Sequence, residues 1–156
     1  MISVDVVSED RLWNTKLKKP NIFFGKLIKL FPKRYFFKNK KVNLTVLLSN
    51  NKNIQKLNKR FRKKNKPTDI LSFPLNKKIN KKKYLYLGDI IISYNFILKP
   101  KSLTIKEFQE KLIRIFIHGF LHLLNYDHIK LKDYKKMNKE ETKIYKFIHH
   151  KIEKLD

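Results

Sequence analysis

His118-Gly119-Phe120-Leu121-His122-Leu123-Leu124-Asn125-Tyr126-Asp127-His128 is the stretch from which the rest of this chain is best read. It holds three of the five histidines. His118 and His122 are four apart, so a helix places them one turn apart on the same face. A helix continued to His128 would carry that side chain away from the other two. The chain must therefore turn after His122 if the three imidazoles are to meet. Asn125 stands where the turn is needed. After glycine, asparagine is among the residues that best tolerate the left-handed backbone that ends helices. Three imidazoles converging from a helix and the loop behind it make a tridentate site with an open fourth position, the usual way of holding a catalytic zinc.

Working outward, Thr104-Ile105-Lys106-Glu107 matches a capping box and opens the helix that carries the first two histidines. Phe108, Leu112, Ile115, Phe116, Gly119 and Leu123 form its apolar face, and His118 and His122 flank that face. Downstream, residues 133–154 read as a last helix, with Met137, Ile144, Ile148 and Ile152 in register. Upstream, Tyr84 to Ser93 reads as a strand interrupted by Gly88-Asp89, and glycine in a strand marks a bulge or a close backbone approach. Residues 76–83, nearly all Lys and Asn, read as a solvated connection. Residues 69–74 form a strand that Pro74 ends or places at a sheet edge.

Residues 62–68 are a basic loop behind a helix capped by Asn50 or Asn51, with Ile54, Leu57, Asn58 and Phe61 on one face. Residues 42–48 and 2–7 are strands. Pro20 divides residues 9–31. The part from Ile22 to Phe31, with Phe23, Leu27 and Leu30 at helical spacing, packs on the core with a basic outer face in preference to lying on a membrane. The order β-α-β-α-β-β-α-α, with short connections, no repeat and no visible boundary, predicts one layered α+β domain over residues 1–156. A small mixed sheet of about four strands is packed with helices, and the three-histidine site lies on the central helix and the turn after it.

With 42% hydrophobic and 13% aromatic residues, the chain has the material for a core, which excludes disorder. Lys plus Arg is 38 against 13 for Asp plus Glu, a formal charge of +25. That excess points to a polyanionic partner, nucleic acid before anionic membrane, although drift toward Lys, Asn and Ile accounts for a substantial share of it. There is no cysteine, so disulfides and thiolate metal sites are excluded and any metal must take His and carboxylate ligands. No basic leader precedes a long apolar run at the N-terminus, and no apolar segment approaches the ~20 residues that span a bilayer. A soluble cytoplasmic protein is the expectation.

The metzincin zinc signature, H-E-x-x-H-x-x-G-x-x-H, has its histidines at the same offsets, with glycine at the turn. Here the glutamate after the first histidine is Gly119. The pattern therefore supports a three-histidine metal site and argues against ordinary metallopeptidase chemistry, which needs that carboxylate as general base. Chance spacing would explain a lone pair at i,i+4 about as well, but a third histidine at the fitted distance favours the site. Asp127 either orients an imidazole or acts as a base, or else is an ordinary turn aspartate.

Asn58-Lys59-Arg60-Phe61-Arg62, then Lys66-Pro67-Thr68-Asp69-Ile70-Leu71-Ser72-Phe73-Pro74, then Leu87-Gly88-Asp89-Ile90, then the histidine stretch, resemble the YbeY family in that order and spacing. The resemblance runs from about residue 42 to the C-terminus and more loosely through the first strand and helix. One departure is Asn125, where the family usually has glycine. The resemblance implies one Zn(2+) per chain on His118, His122 and His128, in a cleft between the helix and the sheet. It also implies that the family's arginine is Arg62, whose planar fork suits a phosphate. Without it, Arg62 would read as a solvated arginine in a basic loop. Thr68, Asp69 and Ser72 are candidates to shape the cleft, Asp69 equally to fix a turn. Asp89 reads as structural or as a support to the site, and His149 and His150 as helix-end residues.

The activity so implied is that of a single-strand-specific, metal-dependent endoribonuclease. Its implied task is late-stage 70S ribosome quality control and maturation of the 3′ terminus of 16S rRNA, with single-stranded precursor rRNA and the small ribosomal subunit as partners and no DNA or membrane. Arg62, His118 and Asp127 are the candidate catalytic residues. Two rivals stay open on the residues: a non-catalytic ribosome assembly factor with a structural zinc, and a zinc hydrolase of another substrate.

Overall fold

Among the described residues, alternating apolar residues make four strands: β1 (Ile2–Ser8), β2 (Lys41–Ser49), β3 (Ile70–Pro74) and β4 (Tyr84–Ser93). They form one sheet in the order β1-β2-β4-β3. β1 and β4 run parallel to β2, and β3 runs antiparallel to β4 at the sheet edge, so the sheet is mixed as expected. Pro74 closes that edge strand, where its missing N–H is tolerated. The structure is a computed structural model and describes residues 1–75, 84–101 and 103–155. The connection read at 76–83 lies outside them.

The helices are α1 (Pro20–Lys29), α2 (Asn51–Arg62), α3 (Tyr94–Ile97), α4 (Ile105–Leu123) and α5 (Leu131–His149), with 3-10 turns at Arg11–Thr15, Lys33–Tyr35 and Ile152–Leu155. α1 and α4 cover one face of the sheet over the main core, and α5 packs against α4. Val42, Leu44, Val46 and Leu48 of β2 meet Phe24 and Leu27 of α1, Phe116 and Phe120 of α4, and Ile144 and Ile148 of α5 there. Side chains of this size contribute about 1.5–3 kcal/mol each when fully buried. α2 covers part of the opposite face through a smaller cluster of Ile54, Leu71 and Ile91, flanked by Leu47, Leu57 and Phe73.

Gly88 does what a glycine inside a strand signals. The pairing of β2 with β4 passes from Asn43–Tyr86 to Thr45–Asp89, one residue more on β4, which is a bulge. Leu85 and Leu87 before it, and Ile90 and Ile92 after it, all enter the main core. A strict two-residue alternation would have turned the second pair to the other face. Gly88 has φ +135°, and a Cβ there would stand 2.1 Å from the carbonyl oxygen of Phe73 on the neighbouring strand.

Several boundaries differ from the sequence reading. Pro20 divides residues 9–31 as read, but α1 already starts at Pro20 and not at Ile22, and it ends at Lys29 and not at Phe31. Its Phe23, Phe24, Leu27 and Ile28 are buried in the core, so the membrane-surface alternative has no apolar face left to use. The last helix ends at His149 and not at residue 154; a 3-10 turn keeps Ile152 buried. Arg62 closes α2 and does not belong to the basic loop. Of the α2 residues read on one face, Ile54 and Asn58 are buried, whereas Phe61 is exposed. Trp13, in a stretch given no element by the sequence reading, is fully buried: its Nε1 donates to the Ser49 carbonyl at 2.8 Å. α4 is buried on more than one stripe, with Ile113, Ile117 and Leu121 also inside, because other helices pack on it besides the sheet. Phe116 meets Phe24 of α1 at 5.2 Å, and Arg114 lies 3.6 Å over the Tyr145 ring of α5. No helix of the described residues is long and apolar enough to cross a membrane.

Candidate metal centre

α4 is fixed at both ends by its own sequence. At the start, Thr104 Oγ1 accepts the Glu107 N–H at 3.2 Å and Glu107 Oε2 accepts the Thr104 N–H at 2.7 Å, the reciprocal pair read from the sequence. At the end, Asn125 takes φ +66°. Its N–H donates to the His122 carbonyl at 2.9 Å, and the Tyr126 N–H donates to the Leu121 carbonyl at 3.0 Å. These two bonds are those of a Schellman motif, with Asn125 in the left-handed position. The chain reverses there and brings His128 back.

The three imidazoles meet. Ring centroids are 4.6 Å apart for His118–His122, 4.9 Å for His122–His128 and 5.4 Å for His118–His128. One nitrogen from each lies within 4.8 Å of the other two. His118 Nε2 and His122 Nε2 face each other at 3.1 Å. The other nitrogens are committed: His122 Nδ1 lies 2.9 Å from the Tyr126 carbonyl oxygen and His118 Nδ1 lies 2.6 Å from Glu141 Oε1. A carbonyl and a carboxylate only accept, so both Nδ1 atoms carry protons. In the neutral rings the two Nε2 atoms then point lone pairs at each other, an arrangement that a cation between them satisfies. His122 is held neutral: burial first, then the neighbouring His118 and His128, push its pKa down to about 4, against a smaller opposite pull from the Tyr126 carbonyl and Asp127. The donor set fits a metal ion that accepts imidazole.

Gly119 faces the sheet and not the imidazoles. A Cβ there would stand 2.7 Å from Ile70 Cδ1, and 3.1 Å from both Ile90 Cγ2 and Ser72 Oγ. The residue that looked like a missing base is thus the contact that seats α4 on β3 and β4. Ser72 is buried beneath it.

Asp127 is exposed beside the centre; its Oδ1 accepts the His128 backbone N–H at 2.6 Å. Arg62 is not in contact with the histidines. It ends α2 on the other face of the sheet, exposed, with no hydrogen bond or ion pair among the described residues. Its neighbour Phe61 packs edge-on against Phe73 of β3 at 5.2 Å. Edge strand β3 therefore lies between the end of α2 and the histidine-bearing part of α4. Asp69 Oδ1 accepts from Thr68 Oγ1 at 3.2 Å and from the Ile70 N–H at 2.8 Å, so it fixes the entry to β3. Asp89 accepts from Tyr86 OH at 2.5 Å on the sheet face away from α4, and His149 meets Tyr145 OH at 3.2 Å. None of these belongs to the cluster.

Glu141 was not singled out from the sequence. Its signal was there: Met137, Glu141, Ile144 and Ile148 follow the helical spacing of one stripe, so a carboxylate stands on an otherwise apolar face and needs a partner.

Fold and site together define an α+β protein with a three-histidine centre compatible with a metal ion. The family model described as endoribonuclease YbeY matches residues 9–149. The endoribonuclease YbeY of Pelagibacter ubique is 64% identical over 152 residues, covering 97% of this chain and 99% of its own. That of Buchnera aphidicola from Acyrthosiphon pisum is 40% identical over 141 residues, covering 88% and 86%. A Thermotoga maritima protein solved in solution shares the fold, with a TM-score of 0.55 at 24% identity over 96% of this chain and 91% of its own. The chain belongs to the endoribonuclease YbeY family.

Proposed function

We propose that this protein is an endoribonuclease that cuts single-stranded RNA at the three-histidine centre, with one zinc ion per chain on His118, His122 and His128. Its task in this reading is maturation of the 3′ terminus of 16S rRNA and late-stage 70S ribosome quality control. Precursor rRNA on the small ribosomal subunit is its partner, and the cytoplasm its place. The observation that carries the metal part is the pair of Nε2 atoms facing each other at 3.1 Å with both Nδ1 atoms already committed.

Bound there, zinc would supply a Lewis acid and a water of lowered pKa. The chain's own residues supply the rest. His122, held neutral, offers its lone pair without first losing a proton. Asp127 has one oxygen on the His128 N–H, and its Oδ2 has no partner among the described residues, so it is the carboxylate oxygen we assign to accept a proton. An RNA strand laid along the outer edge of β3, which pairs with no further strand among the described residues, would meet the histidines from one side and Arg62 from the other. There Arg62, with the exposed Lys59, Arg60 and Lys63 behind it, neutralises phosphate charge as it builds. Binding then weakens with salt, with a log–log slope of about −0.7 per phosphate neutralised on a single strand.

The test is cleavage of single-stranded RNA and of a 3′-extended 16S precursor, wild type beside His118→Ala, with zinc content measured on both. Cleavage confined to the wild type, with close to one zinc per chain, is the expected result. Activity of the zinc-loaded wild type no higher than that of the variant would remove the nuclease reading and leave a non-catalytic assembly factor.

A further inference from the structure

Glu140 and Glu141 are neighbours on α5, and their carboxylates go to different places. Glu140 Oε2 accepts from Tyr35 OH at 2.5 Å and from Arg34 Nη2 at 2.9 Å, and its Oε1 pairs with Lys143 Nζ at 3.0 Å. The bonds to Tyr35 and Arg34 pin α5 to the turn at Lys33–Tyr35. Glu141 instead crosses to α4 and takes the Nδ1 of His118 at 2.6 Å. The two side chains are 30% and 28% exposed, so the bond is partly shielded from water.

The three imidazoles are thus supported unequally. His118 has a carboxylate behind it, His122 has a backbone carbonyl, and the ring of His128 has no hydrogen-bond partner among the described residues. A carboxylate behind a metal-binding imidazole fixes the tautomer, holds the ring plane and makes the far nitrogen a stronger donor. We propose that Glu141 is the positioning residue of the metal centre: it holds the Nδ1 proton of His118 so that Nε2 faces the other two imidazoles, and it makes His118 the strongest of the three ligands. This inference rests on the metal-binding reading above and adds to it a residue on a different helix.

The experiment titrates the metal-free protein with zinc against a chromogenic chelator and with cobalt(II) followed by its visible absorption bands. The proteins are wild type, His118→Ala, Glu141→Ala, Glu141→Gln and Glu140→Ala. Glu141→Ala removes both the acceptor and the charge, and its zinc Kd is expected to rise about 10–100-fold. Glu141→Gln keeps an oxygen for the Nδ1 proton, so it binds between wild type and Glu141→Ala, with shifted cobalt bands because the ligand is a weaker donor. Glu140→Ala removes a carboxylate from the same helix without touching His118 and leaves Kd within about twofold.

Three results overturn the inference: Glu141→Ala binding like wild type, Glu140→Ala weakening zinc as much as Glu141→Ala, or Glu141→Gln matching wild type in both affinity and cobalt spectrum. The Gln variant keeps the question open to refutation if the Ala variant does not fold. Wild-type protein that takes up neither metal would instead show that the metal-binding reading itself has failed, and the role of Glu141 with it.

Discussion

Gly119 lies so close to Ile70 that a Cβ on it would stand 2.7 Å from the Ile70 Cδ1. That contact lets α4 sit down on the edge of the sheet with His118 beside it. It also explains why a glutamate at this position would be no base: the side chain would be driven between β3 and β4. Gly119→Ala gains about 1 kcal/mol of helix propensity and loses about 1–3 kcal/mol to overpacking, so a net loss of up to about 2 kcal/mol is expected. Gly119→Glu adds a buried carboxylate with no partner and is expected to lose several kcal/mol more. Urea unfolding of the two variants checks this; a Gly119→Glu protein as stable as wild type would show that the helix can lift off the sheet at little cost.

Asn125 occupies the left-handed position at φ +66°. Asn125→Gly should leave stability within about 1 kcal/mol of wild type, because glycine reaches that region freely. Asn125→Val should lose about 1–2 kcal/mol, since a β-branched residue fits it poorly. The Tyr126 carbonyl that holds His122 Nδ1 is the next peptide along, so the Val variant should also bind zinc more weakly than the Gly variant. Thermal melting with and without zinc reads both effects; equal zinc stabilisation of the two variants would uncouple the turn from the centre.

These residues show which features a sequence exposes. The capping box at Thr104, the turn at Asn125 and the bulge at Gly88 are local: each is set by a residue type with a special backbone or side-chain habit, and each was readable in place. The histidine cluster was readable because helix period and turn together fix it. Glu141 and the packing of Gly119 were not, because they depend on which helix lies beside α4 and how closely α4 approaches the sheet. The 3-10 turn that buries Trp13 and the short helix α3 (Tyr94–Ile97) carry too few residues to show a period. The site of Arg62 was named by family resemblance alone; its place across β3 from the histidines came from the packing of Phe61 on Phe73.

Arg62 makes no bond that holds the fold among the described residues, so Arg62→Ala should change unfolding free energy by no more than about 0.5 kcal/mol. If Arg62 meets the phosphate at the reacting centre, the same variant should lose about 10²–10³ in cleavage rate at unchanged zinc content. Arg62→Lys should recover only part, because a point charge replaces a two-pronged donor. Single-turnover cleavage assays of the three proteins decide it. Wild-type rates from Arg62→Ala would return Arg62 to being a solvated cation at the end of a helix.

His122 gives the metal-free protein a particular pH dependence. Its pKa in the folded chain is about 4, below the ordinary 6.5 that it recovers on unfolding, because burial and the two neighbouring histidines oppose its charge. The unfolded chain therefore takes up this proton first as the pH falls, and the folded state loses ground. The contribution is fully present above about pH 6.5 and is lost progressively between about pH 6.5 and pH 4. Zinc should deepen the same trend, since it binds only deprotonated imidazole and competes with protons on all three rings. Unfolding midpoints between pH 4 and pH 8, for the metal-free wild type and for His122→Ala, test the assignment. The wild type should show the loss below pH 6.5, and the variant should show less of it. Equal slopes in the two proteins would place the titration on other groups.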